Sequence, residues 1–345
     1  MPAHVDAALP PPTIRPRLAA TIAGFGVLAA ACCLLAPLVG STSISLGRAF
    51  DRTIPFADNV DAQVFFVARL PRVVAAALVG SSMALAGAVF QALLRNPLAS
   101  PDTLGVSAGA TLGAMIVIAF HVDASVFGIS AVPVAAFAGS AGALAIVYAM
   151  SVARRHGTST TVLLLAGVAL SALLGAAVRF IQILADFTDT FRSVRWMMGA
   201  LDVGSYNQVV ASLVPLAVAF TAIFSMTRVL DLISLGSDAA ASRGVDVRRA
   251  ERIGLVGASL ATGAAVSLGG PIPFVGIIVP HIVRLVVGAD HRLVLPGSAL
   301  FGASFLILCD LVTRTAFGPV EPPVGTVTAM IGGPFFLWLL FRRAL

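Results

Sequence analysis

The chain has 345 residues, of which 58% are hydrophobic and only 11% are charged, and its formal net charge is +6. A soluble protein of this length carries roughly 25% charged residues, whereas many apolar runs here reach the ~20 residues that cross a bilayer as a helix. The composition therefore excludes a soluble globular protein and predicts an all-α, polytopic membrane protein with a single membrane domain.

In chain order, residues 1–17 are proline-rich and polar, which predicts a disordered tail, and residues 18–345 form the membrane domain. The longest polar insert in that domain covers residues 228–252. Ten transmembrane helices are predicted, at about residues 18–39, 64–94, 103–120, 129–150, 162–184, 208–226, 253–269, 274–288, 293–313 and 324–341.

Ten spans place both termini on the same side of the membrane. If the N-terminus is inside, the inner segments hold 14 of the 22 arginines and the outer segments hold 8. The positive-inside rule therefore predicts cytoplasmic termini and a cytoplasmic polar insert. Charged residues near the middle of the spans are nearly absent. Ion- and proton-coupled carriers use such residues, so a secondary transporter is the less favoured alternative.

The basic residues are arginines without a single lysine. A nucleotide-binding P-loop needs a lysine that reaches the phosphates, so any ATP that powers this chain is bound by another polypeptide. The arginines are spread over short loops, which does not favour a nucleic-acid partner. Because no catalytic dyad, triad or metal-ligand spacing is present, we predict neither an enzyme nor a cofactor or metal site.

The polar insert carries signals of helix structure. Ser237 is a candidate N-cap, Asp238 falls in the first turn, and Gly244 is placed as a helix stop. These signals predict a short helix at the membrane surface between two spans. An ordinary cytosolic loop is the alternative.

Three blocks of sequence carry a resemblance to a known family. They contain RLPR and RNPLASPDTLGVSAGA, then LGSDAAASRGVDV, and finally FVGIIVPHIVRL with PPVGTVTAMIGGP. In combination they resemble the permease subunit of ABC importers for ferric siderophores, haem and cobalamin. The resemblance implies a type II importer permease fold in the bacterial inner membrane, with membrane lipid around it. It also implies alternating-access uptake of a metal chelate, with a ferric siderophore favoured over haem and cobalamin.

The same resemblance implies partners and assigns residues to them. The partners are a second copy of the chain, two ATPase subunits and a periplasmic substrate-binding protein. Arg69, Arg72 and Arg314 match arginines that receive acidic residues of the binding protein, with anchoring at the membrane interface as the alternative. The residues assigned to coupling with the ATPase are Leu235, Gly236, Asp238, Arg243 and Gly244. Ala239 departs from the family pattern, where an acidic residue is common, which puts individual polar contacts in doubt.

Two further assignments concern the transport pathway. Thr160 and Thr161 match the family's cytoplasmic gate, with helix N-capping as the alternative. Three arginines near the fifth span are candidates for attracting a carboxylate-bearing chelate, with loop charge balanced by Asp186 and Asp189 as the alternative: Arg179, Arg192 and Arg195.

Overall fold

The structure is a computed structural model that describes residues 14–122, 124–126, 129–152, 160–201, 203, 205–317 and 321–344. These residues are nearly all helical, apart from a two-residue hairpin in which β1 (Ser125–Val126) pairs antiparallel with β2 (Ile129–Ser130). Their α-helices are α1 (Ile14–Leu35), α2 (Leu46–Ala49), α3 (Val60–Gln63), α4 (Leu70–Leu93), α5 (Val106–Ala119), α6 (Ala131–Val152), α7 (Thr160–Leu184), α8 (Phe187–Met197), α9 (Tyr206–Ser225), α10 (Thr227–Ser234), α11 (Ser237–Ala241), α12 (Val247–Gly269), α13 (Val275–Val287), α14 (His291–Ala316) and α15 (Val324–Ala344).

The predicted all-α membrane fold is confirmed, and each of the ten predicted spans coincides with a helix. Seven helices within the described ranges are long and apolar enough to cross a membrane, and α5, α13 and α15 are shorter apolar helices. Two of the short helices follow a residue with positive φ. Gly105 has φ +78° before α5, and Phe274 has φ +68° before α13. The sequence prediction extended both spans through these turns.

Helix α4 lies at the centre of the bundle. Of its 24 residues, 18 are buried, and it packs against α9, α12, α13 and α14. A helix that is apolar on all sides is expected in a core. Glycine permits its closest approaches, because a Cβ on Gly80 would lie 2.1 Å from the carbonyl oxygen of Gly302 in α14. Small residues therefore set the crossing of α4 and α14 here.

A π-helix, Val64–Arg69, joins α3 to α4. Pro71 in the first turn of α4 lacks an N–H and would clash with the carbonyl four residues earlier in a regular α-helix. The wider π turn accommodates this proline, and the freed carbonyl of Phe66 accepts a hydrogen bond of 2.6 Å from the Tyr206 hydroxyl of α9.

Candidate functional site

A charged cluster lies at one end of the bundle, which we call the Arg72 end. Asp310 of α14 is fully buried between two guanidinium groups: Arg72 Nε lies 2.8 Å from Oδ1, and Arg314 Nε lies 2.9 Å from Oδ2. The Nη1 atom of Arg72 also contacts Glu321 Oε2 at 2.7 Å. Asp310 is thus a buried carboxylate with both oxygens satisfied, as a low-dielectric site requires.

Arg69 and Arg314 hold the 3₁₀ turn, Ala36–Leu38, and the loop that follow α1. The last carbonyls of a helix lack partners within it. Arg69 donates to the carbonyl of Pro37 at 3.1 Å and to that of Thr42, and Arg314 donates to the carbonyl of Val39 at 3.1 Å. Positive charge is also favourable at a helix C-terminus. Arg69 and Arg314 therefore cap the 3₁₀ turn that follows α1 and join it to the start of α4 and to α14.

The two functions considered for these arginines from sequence, docking and interfacial anchoring, both need an accessible guanidinium. Arg69 and Arg314 are instead buried, and only the Arg72 side chain, 20% exposed, reaches the surface. Docking stays a prediction, and in this geometry it falls chiefly to Arg72. Sequence reasoning missed the internal partners because Asp310 and Glu321 lie 238 and 249 residues from Arg72 in the chain.

The polar insert forms a surface platform at the opposite end of the bundle. It consists of α10, α11 and the turn into α12. Leu230 and Ile233 of α10 are buried in the main hydrophobic core, and Asp231 accepts a 2.8 Å hydrogen bond from the backbone N–H of His291 at the start of α14. The insert is therefore an ordered helical element, and the ordinary-loop alternative is wrong.

Two of the three helix signals in the platform are confirmed. Asp238 lies in the first turn of α11, and Gly244 follows the helix with φ +81°. The N-cap assignment was wrong by one residue, because Ser237 begins the helix and Gly236, with φ +125°, occupies the cap. Glycine adopts this φ without a steric cost.

The platform presents a mixed apolar and charged surface. Leu235 is 67% exposed, and Asp238, Arg243 and Gly244 are exposed around it. The Arg243 guanidinium, in the turn after α11, donates to the carbonyl of Ala239 in α11 at 3.1 Å. An exposed leucine among charged residues on an ordered element is suited to contact with another protein.

The neighbouring turn between α13 and α14 supports this platform. Asp290 caps α14 by accepting a 2.9 Å hydrogen bond from the backbone N–H of Arg292, and its carboxylate lies 2.7 Å from Arg292 Nη2. The side-chain hydrogen bond from Arg292 is the main cause that lowers the pKa of Asp290 below its ordinary value.

Two of the three arginines predicted near the pathway come together. Arg192 and Arg195 of α8 line a cavity of about 260 Å³ with Trp196 and Gln208, whereas Arg179 of α7 is exposed and is not among its lining residues. Asp189 balances part of this charge, at 3.7 Å from Arg192 Nη1. The cavity thus combines cationic and aromatic groups.

The structure also brings together His121, after α5, and two aspartates at the start of α8. The His121 Nε2 atom lies 2.7 Å from the Asp189 carboxylate, and Asp186 caps α8 by accepting from the Asp189 N–H at 2.8 Å. Donor atoms of all three lie within 4.8 Å of one another. Their separation in the sequence concealed this cluster. For the gate, the backbone places Thr160 at the start of α7, while both threonine side chains lie outside the described part of the structure.

Comparison with known proteins decides the family. A model described as the FecCD transport family matches residues 28–342. The chain belongs to this family. The resemblance inferred from the three sequence blocks is thereby confirmed.

Individual relatives agree with the FecCD assignment. The cobalamin import system permease protein of Halobacterium salinarum is 45% identical over 279 residues, covering 80% of this chain and 72% of the relative. The hemin transport system permease protein of Yersinia pestis is 40% identical, covering 80% of this chain and 82% of the relative. The iron(3+)-hydroxamate import system permease protein of Bacillus subtilis is 36% identical, covering 92% and 83%.

A solved structure shares the fold. An inward-facing metal-chelate type ABC transporter matches with a TM-score of 0.81 and 29% identity, over 94% of this chain and 99% of that one. The chain is therefore a transmembrane ABC permease of the FecCD family. Its named relatives are permease proteins, in agreement with the prediction of a transport subunit, and the secondary-transporter alternative is not favoured.

Proposed function

We propose that this FecCD permease moves a metal chelate from the periplasm to the cytoplasm by alternating access, driven by two separate ATPase subunits. The single observation that carries the proposal is the platform. Its apolar anchors, Leu230 and Ile233, are buried while Leu235 projects outward. A chain without a P-loop lysine needs such a rigid surface to receive force from an ATPase.

Within the platform, we assign the ATPase contact to Leu235, Gly236, Asp238, Arg243 and Gly244. Leu235 supplies the apolar anchor, since exposed hydrophobic groups dominate interface energies when they fill a pocket. Because α10 is bonded to α14 through Asp231 and His291, movement of the platform is passed directly to a central span.

The proposed assembly is a homodimer in the bacterial inner membrane with both termini cytoplasmic. The excess of inner over outer arginines supports this orientation. Three of the outer arginines do not argue against this orientation, because their guanidinium groups have partners inside the protein: Arg69, Arg72 and Arg314. Exposed apolar side chains of α7 and α8, including Ile183 and Phe187, are suited to face a second copy around a shared pathway.

At the periplasmic surface, we assign docking of the substrate-binding protein to Arg72, with Arg69 and Arg314 holding the docking surface in shape. A carboxylate of the partner pairs with the accessible edge of the Arg72 guanidinium. Such charge pairs set orientation and association rate more than affinity.

For the substrate, we propose a ferric siderophore first, then haem and then cobalamin. The named relatives include transporters of all three kinds. Arg192 and Arg195 of α8 would attract the carboxylates of such a chelate, and the neighbouring Trp196 would contact its flat face. Arg179, on α7, would be a further cationic contact. Thr160 and Thr161 would line the cytoplasmic constriction.

A binding screen tests the substrate assignment. The cognate soluble binding protein is titrated with ferric siderophores, hemin and cobalamin, and the purified permease–ATPase complex is then assayed for ATP hydrolysis with each loaded form. We expect one chelate to bind and to stimulate hydrolysis. Binding of an unrelated solute alone would contradict the proposed substrate class.

A further inference from the structure

The acidic partner on the open side of Arg72 is Glu321, and its position differs from that of Asp310. Asp310 is fully buried and contacts two arginines, whereas the Glu321 side chain is 33% exposed and contacts Arg72 through one oxygen at 2.7 Å. Removing Asp310 would leave buried guanidinium groups without a counter-charge. Glu321 lies nearer the surface and has a single partner, so it can leave for water at a lower cost than Asp310, because ion pairs close to the surface contribute less to stability than buried ones.

We infer that Glu321 occupies the carboxylate-binding position of Arg72 and that a partner's carboxylate docks by displacing it. This rests on the proposed docking function of Arg72. The incoming group and Glu321 have the same chemistry and the same charge, so the exchange leaves the charge balance around Arg72, Asp310 and Arg314 unchanged. The internal pair therefore competes with docking and keeps the guanidinium oriented while no partner is bound.

Glu321 is connected to helix α15 by two proline residues, so its movement on release can be transmitted to the membrane domain. Pro322 and Pro323 follow it immediately and precede Val324, the first residue of α15. Proline fixes φ near −65°, so this connection is stiff, and a displacement of Glu321 is passed to the start of α15 rather than absorbed.

The start of α15 in turn contacts the end of α8. The Gly325 N–H donates to the carbonyl of Gly199 at 3.1 Å, and a Cβ on Gly325 would lie 2.1 Å from the carbonyl oxygen of Met198. Arg192 and Arg195, which line the cavity proposed to receive the chelate, are on α8. Docking at Arg72 thus loosens the helix contact next to the proposed chelate cavity.

The decisive variant is Glu321→Gln, which keeps the side-chain shape and removes the competing charge. Binding of the cognate substrate-binding protein to the full-length permease in nanodiscs is measured at low salt. We expect the Kd to fall by about two- to fivefold, because an ion pair near the protein surface changes an equilibrium by roughly such a factor. Asp61→Asn is the matched control, because it removes one negative charge at the same end of the bundle, from a 3.8 Å pair with Arg48, and it should leave the Kd within experimental error of wild type.

Hydrogen exchange provides a second readout, which can be measured in the permease alone and again with the binding protein bound. In the permease alone, Glu321→Gln should speed exchange at the Gly325 amide, and the bound binding protein should produce the same change in the wild type. Unchanged affinity and unchanged exchange in Glu321→Gln, with weaker docking in Arg72→Gln, would overturn the competition while leaving the docking function intact. If the wild-type permease does not bind the binding protein at all, docking itself is refuted as well.

Discussion

At the residue scale, Arg69 is a helix-capping group inside the protein, and this determines what its loss should do. Arg69→Met would remove the donors to the carbonyls of Pro37 and Thr42, at a cost of roughly 1–3 kcal/mol for polar groups left unsatisfied. We expect a lower Tm of the purified permease, followed by tryptophan fluorescence. Arg48→Met is the control, because Arg48 is 73% exposed, and its Tm should not change. An unchanged Tm in Arg69→Met, together with lost docking, would show that Arg69 contacts the binding protein directly.

Asp290 predicts a pH dependence of stability. Its pKa in the folded protein is lowered, chiefly by the hydrogen bond from Arg292, so its stabilising effect is complete above the unfolded pKa of about 3.9 and is lost as the pH falls through the folded pKa. Asp290→Asn keeps an equally good N-cap but removes the charge.

The Tm of Asp290→Asn should therefore lie slightly below that of the wild type at pH 7, by the equivalent of at most about 1 kcal/mol. The difference should shrink as the pH falls below the unfolded pKa of about 3.9 and vanish once the pH lies below the folded pKa. A Tm difference that persists at low pH would mean that Asp290 acts through shape and not through charge.

At the element scale, the platform is expected to act as a unit. Leu235→Asp should reduce co-purification of the ATPase by about tenfold or more, as loss of an interface anchor does, while Tm stays unchanged because Leu235 is exposed. Leu46→Asp makes the same change at an exposed leucine of α2 at the Arg72 end. Equal co-purification of the ATPase with both variants would show that Leu235 does not contact the ATPase.

The crossing of α4 and α14 offers a second test at this scale. Gly80→Ala places a Cβ 2.1 Å from the Gly302 carbonyl oxygen, and such overpacking costs about 1–3 kcal/mol or more. Gly24→Ala in α1 meets nothing within 4 Å and should be neutral or stabilising by up to about 1 kcal/mol through helix propensity. The Tm of each variant measures this, and equal Tm values would show that the two helices separate freely.

At the scale of the whole molecule, the sequence predicted the all-α membrane fold because long apolar runs identify membrane spans. The family could also be predicted from the sequence, because each of its motifs is contiguous in the chain. Contacts between residues that are distant in the chain could not be predicted from the sequence. Nothing in RLPR indicates that Arg72 pairs with Glu321 or that Arg69 caps the 3₁₀ turn after α1, since both contacts depend on how the helices pack. Local signals were reliable to about one residue, as Ser237 and Gly236 illustrate.

The central claim is that a separate ATPase drives uptake of a metal chelate through this chain. The most direct test reconstitutes the permease, its ATPase and the binding protein in proteoliposomes and follows uptake of the chelate selected by the binding screen. We predict uptake that requires ATP and continues when an uncoupler removes the proton gradient. Uptake that proceeds without ATP and stops with the uncoupler would contradict the account, and ATP hydrolysis without chelate movement would do so too.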